Sequence, residues 1–377
     1  MAYVAARGGE KAIQNAEKLH RLLHAPVSRE LVSMIKTSMP YLLDRVMGEG
    51  SLYAPELAAL ALAQTGGDYY EAVLLLRAYR STQPRLAYAQ PMSQDDMLTV
   101  RRISAAFKDI PGGQILGPTL DYSHRVLNID VLEDDPQVNA EVEGNALEPA
   151  PTPTPPSQPA VASWQRQNRL LANLASQTPP ADLADLPDLT REPMLFPASR
   201  EHRLQALARA DTGGVLTLGY SDMRGYGTNH PTVNEVRLAY ADVNLTHPVT
   251  GAVFSAGKIR VSQAEVVSSF GGSNDEPQLD IGFAATLGWN EVKTIAASML
   301  DMAMDKPDPF PALSEEYVLY HTEPVESSGF CIHYKLPHYV TFQSSLEAMR
   351  KAAETNPGER EKGGGGEKAG AATEVSS

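Results

Sequence analysis

The sequence predicts an α+β fold, a helix-rich N-terminal region followed by a mixed antiparallel sheet and helix region. Three observations carry this. Apolar residues recur at helical spacing through residues 1–90, beginning with Ala12, Ile13, Ala16, Leu19 and Leu23. Alternating, β-branched stretches begin only after residue 210. Strands and helices then mix irregularly, without the regular winding of parallel βαβ units.

Each element has its own reason. The first helix follows Gly8-Gly9-Glu10-Lys11. Leu31, Ile35, Leu42, Leu43 and Val46 continue the helical period, with a kink or break predicted at Pro40. Pro55 suits the first position of a helix and Gly66-Gly67 its stop. Asp68, three residues before Glu71, predicts a capped start for the helix through Leu74, Leu75 and Tyr79. Residues 98–128 hold Pro111-Gly112-Gly113 and Gly117-Pro118, which predict turns rather than a long helix. Helices are expected at Trp164–Leu174 and around Arg203–Ala208. Val215–Tyr220 reads as a strand, as do Val236–Leu245 and Val253–Val267, the last folding into a hairpin about Gly257. Val292, Ile295, Ala296, Met299 and Ala303 return to helical period. Tyr317–Leu319 reads as a short strand, and a last helix runs from about Gln343 to Ala353.

The domain plan is therefore a helical region at 1–132 ending in a turn segment, a linker at 133–162, a mixed region at 163–355 and a tail at 356–377. The linker carries Glu133, Asp134, Asp135, Glu141, Glu143 and Glu148, then a run of prolines from Pro149 to Pro159. Such a stretch buries too little apolar surface to offset its ordering entropy. Gly363–Gly366 marks the tail as disordered too.

The 377 residues allow two domains, or one large domain with insertions. The net charge of −14 argues against a broad nucleic-acid surface. A local Arg/Lys pocket for a small anion is still compatible with it. The single cysteine, Cys331, permits no intrachain disulfide and reads as a small buried hydrophobe. No apolar run approaches the ~20 residues that span a bilayer, and the N-terminus lacks signal-peptide character. The expected location is the cytoplasm, with no membrane contact.

Three segments bear chemistry. His333 and His338 lie five apart, about 140° around a helix and on opposite faces of a strand. Pro337 disfavours helix at Leu336. Only a bend converges the two rings, and zinc wants about four ligands. The pair is therefore either part of a metal site completed from elsewhere or two ordinary histidines. Arg224-Gly225-Tyr226-Gly227, running on to Asn229, reads either as an anion-binding turn, with N–H groups bared by glycine and a guanidinium, or as an ordinary tight turn. It is neither a Walker A loop nor GxGxxG. In the third segment Arg101, Arg102, Lys108 and Arg125 offer a cationic wall, with Asp109, Asp121 and His124 as acid/base candidates. A carboxylate can stabilise oxocarbenium-like charge while an acid protonates a departing base, so N-glycosidic chemistry suits the set. The competing reading is structural salt bridging. Arg200, Arg203 and Arg209 read as a solvated helix face.

Together these segments resemble one family. The matching stretches are Tyr3-Val4-Ala5 with Gly8–Ile13, Glu56–Leu62, Leu75–Arg80, Arg101–Ser104, Lys108–Gln114, Leu116–Thr119, Asp121-Tyr122, His124-Arg125, Arg224–Gly227, Asn229–Pro231 and Lys335–Val340. The sequence is similar in them to the I subunits of the carbon–phosphorus lyase core complex. The resemblance implies a role in bacterial phosphonate use. It implies a subunit of the synthase that displaces adenine from Mg-ATP with methylphosphonate, giving α-D-ribose 1-methylphosphonate 5-triphosphate, and that acts alone as a purine nucleotide nucleosidase. It implies partnership with the G, H and J subunits and with the ATP-binding-cassette-type L and K subunits. It also implies that His333 and His338 help bind zinc at the interface with the J subunit, although Cys331-Ile332 before the first histidine departs from the family's pattern. Asp121 and His124 are the catalytic candidates. Arg101, Lys108, Arg224, Gly225, Gly227 and Asn229 are the substrate-binding ones. The alternative is a non-catalytic scaffold lending two histidines to a shared zinc site.

Overall fold

In the computed structural model, which describes residues 9–132, 158–171, 186–226, 230–273, 276–335 and 342–355, Pro40 and Pro55 each open a helix. A missing N–H costs nothing in the first turn. The helices are α1 (Gly9–Leu23), α2 (Arg29–Ser38), α3 (Pro40–Gly50), α4 (Pro55–Gln64), α5 (Tyr69–Ser81), α6 (Val161–Gln167), α7 (Arg200–Arg209), α8 (Thr212–Ser221), α9 (Glu291–Met304), α10 (Glu315–His321), α11 (Pro324–Lys335) and α12 (Phe342–Thr355). Asp68 caps α5 as expected, its side chain accepting the Glu71 N–H at 3.3 Å.

By backbone contacts the chain divides into His24–Gly329 and a second unit of Met1–Leu23 with Phe330–Ser377. In the second unit, α1 and α12 bury no residue, and both leave apolar side chains exposed.

Within His24–Gly329, α2–α5 pack around Leu43, Val46, Met47, Leu62, Val73 and Leu76. The small residues Ala58, Ala59 and Ala61 on α4 let these helices approach closely. Beside them stands an antiparallel sheet of order β1-β2-β3-β4, made of Leu98–Ile103, Thr232–Thr246, Val253–Ser273 and Glu276–Leu287. The two faces differ in chemistry. One carries Val236, Ala264 and Ala284 in register and packs on α9 through Ala296, Ala297 and Leu300. The other carries Arg102 opposite Arg237, and Glu235 opposite Glu265, all buried.

Besides β1 and β4, which the sequence reading did not mark as strands, expectation and structure differ as follows. Val215–Tyr220 and Tyr317–Leu319 are helical, in α8 and α10. Asp211 caps α8 through the Gly214 N–H at 2.6 Å, and a short apolar run reads alike in a strand and a buried helix. The helix at Trp164 stops at Gln167, with Leu171 then bridging to Leu279 of β4. Gly257 makes no hairpin turn; it sits inside β3 beside a register shift, and the chain reverses at 247–252. The segment 158–162, expected in the linker, is ordered: the Gln158 and Pro159 carbonyls accept hydrogen bonds from Arg237 and Arg102. Residues 133–157 and the tail at 356–377 lie outside the described residues.

Candidate functional site

Arg101 and Arg102 are neighbours on β1, so their side chains leave opposite faces of the sheet. Arg102 enters the buried face. Its guanidinium donates to Glu235 Oε1 at 2.5 Å and to the carbonyls of Pro111, Gly113 and Pro159 at 2.6, 3.1 and 2.8 Å. Arg102 is thus a structural cation. Arg101 faces the α9 side, donating through Nε to Glu291 at 2.7 Å, through Nη1 to the Leu116 carbonyl at 2.6 Å and through Nη2 to Asp121 at 2.7 Å.

The turn carrying Asp121 is pressed against β1 by Gly117. Its φ is +61°, and a Cβ there would lie 2.2 Å from the Val100 carbonyl oxygen. No other residue permits this approach. Asp121 accepts from the Thr119 hydroxyl at 2.6 Å and from Arg125 at 2.9 Å. The Thr119 hydrogen bond, followed by attraction to Arg101 and Arg125, holds the carboxyl below its ordinary value. Asp121 is therefore an ionised carboxylate at neutral pH, suited to stabilising developing positive charge and unsuited to giving up a proton. His124 lies in the same exposed turn. The remaining candidates fall elsewhere. Lys108 sits in an exposed bend just before Pro111 and Gly113, whose carbonyls close over Arg102.

Arg224 is exposed, in a π-helical turn (Asp222–Tyr226) that continues from α8 and also contains Gly225. Asp222 in that turn lies 3.8 Å from Lys306, just past the end of α9, whereas Arg101 binds Glu291 at its start. A helix of 14 residues separates the two by roughly 20 Å at ~1.5 Å per residue. The structure therefore does not bring Arg224 to Asp121. The turn also follows a helix, not a strand. Gly227 and Asn229 lie outside the described residues.

His333 lies on α11, and its ring meets Tyr334 edge-on at 5.8 Å; Leu336 and Pro337 lie outside the described residues. His338 lies outside the described residues. Cys331 is exposed rather than buried. Among the described residues no three His, Cys, Asp or Glu side chains converge as a metal site. The donor set present thus fits a zinc ion only as one imidazole of a larger set.

One cleft was not anticipated. Arg77 and Arg80 of α5, Arg85 beyond it and Arg209 at the end of α7 border adjoining cavities of about 400 and 170 Å³. A further cavity of about 500 Å³ continues past Arg77 and Arg209 along Met194, Leu319 and Tyr320. Arg200 and Arg203 pair with Asp301 and Asp305, but Arg209 faces this cleft, which corrects the reading of all three as a solvated face. The i, i+3 spacing of Arg77 and Arg80 was the visible signal; Arg209 is distant in sequence.

Beneath the cleft, Glu49 of α3 is fully buried and accepts from Arg45 at 3.2 Å and from the Thr212 N–H and hydroxyl at 3.0 and 2.7 Å. The Lys293 amine, pushed down to about 8 by burial, donates to the Ala208 carbonyl at 2.7 Å and so braces the residue before Arg209.

The sequence matches the family described as "Bacterial phosphonate metabolism protein (PhnI)" over residues 2–356. It is 43% identical to HtxH of Stutzerimonas stutzeri over 361 residues, covering 93% of this chain and 95% of that one. It is 40% identical to proteins named "Alpha-D-ribose 1-methylphosphonate 5-triphosphate synthase subunit PhnI". The one from Rhizobium meliloti (strain 1021) aligns over 363 residues, 93% of this chain and 94% of the other. The one from Escherichia coli (strain K12) aligns over 358 residues, 93% and 98%. No helix among the described residues is long and apolar enough to cross a membrane.

Proposed function

The chain belongs to the PhnI family of bacterial phosphonate metabolism proteins, and from that premise we propose that it is the subunit of a carbon–phosphorus lyase system that breaks the glycosidic bond of a purine nucleotide. The synthase name of relatives 40% identical over nearly their whole length carries this reading. In it, methylphosphonate displaces adenine from Mg-ATP in the cytoplasm, giving α-D-ribose 1-methylphosphonate 5-triphosphate, and the chain alone releases the base to water. The G, H, J, K and L subunits are its proposed partners.

At the reacting carbon the proposal keeps Asp121, His124 and Arg101. Asp121, ionised and fixed by Arg101 and Thr119, faces the positive charge that develops at C1′ as the purine departs. His124 gives the departing base its proton. Alignment of the phosphonate oxygen opposite the purine supplies much of the rate. Arg224 lies away from Asp121 and takes no part in the bond-breaking step in this reading. His333 and His338 would hold zinc together with ligands from a neighbouring subunit.

A scaffold role is the second reading, favoured by α12, whose Phe342, Leu346 and Met349 are exposed on a helix that buries nothing. Chromatography of free adenine, after incubating the purified chain with Mg-ATP, separates the two. Release of base that depends on Asp121 supports the enzyme; a folded sample that releases none, alone or with the partner subunits added, supports the scaffold.

A further inference from the structure

Arginines that line a cavity are normally tied off by carboxylates, and in the cleft between α5 and α7 only some of them are. Arg77 donates to Glu323, and also to the Glu49 carbonyl at 2.8 Å and the Arg209 carbonyl at 3.1 Å. Arg85 lies 2.6 Å from Asp188, and Arg191 lies 3.8 Å from the same carboxylate. The Arg80 guanidinium has neither a hydrogen bond nor an ion pair among the described residues. Arg209 has no ion pair among them; its Nε is buried without a partner and its Nη1 reaches the Leu189 carbonyl only at 3.5 Å. Both guanidinium groups face the same space.

The electrostatics agree. Burial, then repulsion from Arg77 and Arg80, lowers Arg209 to about 10. Burial and the neighbouring Arg85, Arg191 and Arg77 lower Arg80 despite Asp188. Both stay charged at neutral pH, so the fold holds like charges together at a cost. Asp188 is held by Thr190 and paired with Arg85. Burial raises it, but the Thr190 hydroxyl and N–H with Arg85 and Arg80 outweigh this and hold it ionised.

We propose that this cleft binds the oligophosphate chain of a small molecule, with Arg80 and Arg209 as the unpaired cations that grip it. Guanidinium forks match phosphate oxygens bidentately. Of the four arginines that line the two adjoining cavities, Arg77 is answered by Glu323 and Arg85 by Asp188, which leaves two positive charges, those of Arg80 and Arg209. Two separate guanidinium forks, Arg80 and Arg209, can each take the oxygens of a different one of two linked phosphates. The cavity volume falls within the ~300–1,000 Å³ of small-molecule sites. The continuation along Met194, Leu319 and Tyr320, also lined by Glu192 and Glu326, gives room for an uncharged organic group attached to the phosphates.

Calorimetric titration of the full chain with inorganic tripolyphosphate, Mg-ATP and inorganic phosphate tests this. Tripolyphosphate should bind at least tenfold more tightly than phosphate, and more weakly as salt rises. Arg80→Gln and Arg209→Gln should each weaken it at least tenfold, Arg80→Lys less, and Lys258→Gln, at an exposed site on β3, not at all. Equal affinity for Mg-ATP means that the phosphates alone are recognised; tighter Mg-ATP means that the organic group also binds. Retained tripolyphosphate binding in folded Arg80→Gln and Arg209→Gln, no binding of either ligand, or phosphate binding as well as tripolyphosphate overturns the proposal. Binding without base release would leave the cleft assigned and remove purine displacement, so the two readings fail separately.

Discussion

Arg102 and Glu235 face each other from adjacent strands at 2.5 Å, with 0% and 1% of their side chains exposed. Arg237, equally buried, donates to the same carboxylate, and the Val161 N–H takes its second oxygen at 3.0 Å. One carboxylate thus pairs with two guanidinium groups inside the sheet's far face. Backbone carbonyls satisfy the remaining N–H groups.

Removing that carboxylate leaves two buried cations unpaired. Glu235→Ala should destabilise the fold by about 3–5 kcal/mol, read as a lower denaturant midpoint. A loss under about 1 kcal/mol would mean that water reaches these side chains.

Glu265, opposite Glu235, behaves in the reverse sense. Burial first, and then the Glu235 charge, raise its carboxyl above the ordinary value, while Asn234 and Gln94 oppose the rise. A carboxyl whose folded pKa is raised costs stability above its unfolded pKa, and the cost grows until pH passes the folded value. Glu265→Gln should therefore match the parent near pH 4 and be the more stable protein at pH 7. Denaturant melts at both pH values check this; equal differences at the two would sink it.

Gly282 on β4 faces α9 so closely that a Cβ would sit 2.0 Å from the Ser298 carbonyl oxygen and 2.8 Å from Met302 Cβ. The obstacle is helix backbone, which cannot swing aside. Gly282→Ala should cost about 3 kcal/mol or more, seen as a lower melting temperature and faster exchange of α9 amides.

Asp121→Asn keeps the shape of the side chain but removes its charge and one of its two acceptor oxygens. If Asp121 stabilises the departing glycosyl cation, base release should fall about 10²-fold or more, with little change in stability at this half-exposed site. His124→Ala should fall by a similar factor. Unchanged kinetics in both folded variants would move the chemistry to another part of the chain.

The helical framework was legible because its signals are local. Pro55, the Gly66-Gly67 stop and the Asp68 cap act within one turn of where they stand in the chain. β2 and β3 were legible from their β-branched runs, whereas β4 escaped notice because Gly282, Ala284 and Ala285 break the apolar alternation to admit α9. Leu216 and Leu218 read as a strand for want of any signal beyond apolar alternation. The pairing of Arg101 with Asp121 was within reach, both lying in one segment. The cleft was not: its arginines come from α5, from the chain beyond it and from α7, and only packing unites them. Charge pairing also lies beyond a linear reading, so Arg102 and Arg101 looked alike although one is locked in the interior.

Arg77 joins three elements with one side chain: the carbonyl of Glu49 in α3, the carbonyl of Arg209 at the end of α7, and the carboxylate of Glu323 ahead of α11. These elements cannot loosen one at a time without stranding a half-buried guanidinium. Slow amide exchange in α3, α5 and the end of α7 should consequently share one opening free energy, and fraying at Glu323 should be felt at once on the far wall. The cationic cleft would then be lost and regained as a whole, cooperatively, rather than being worn down residue by residue.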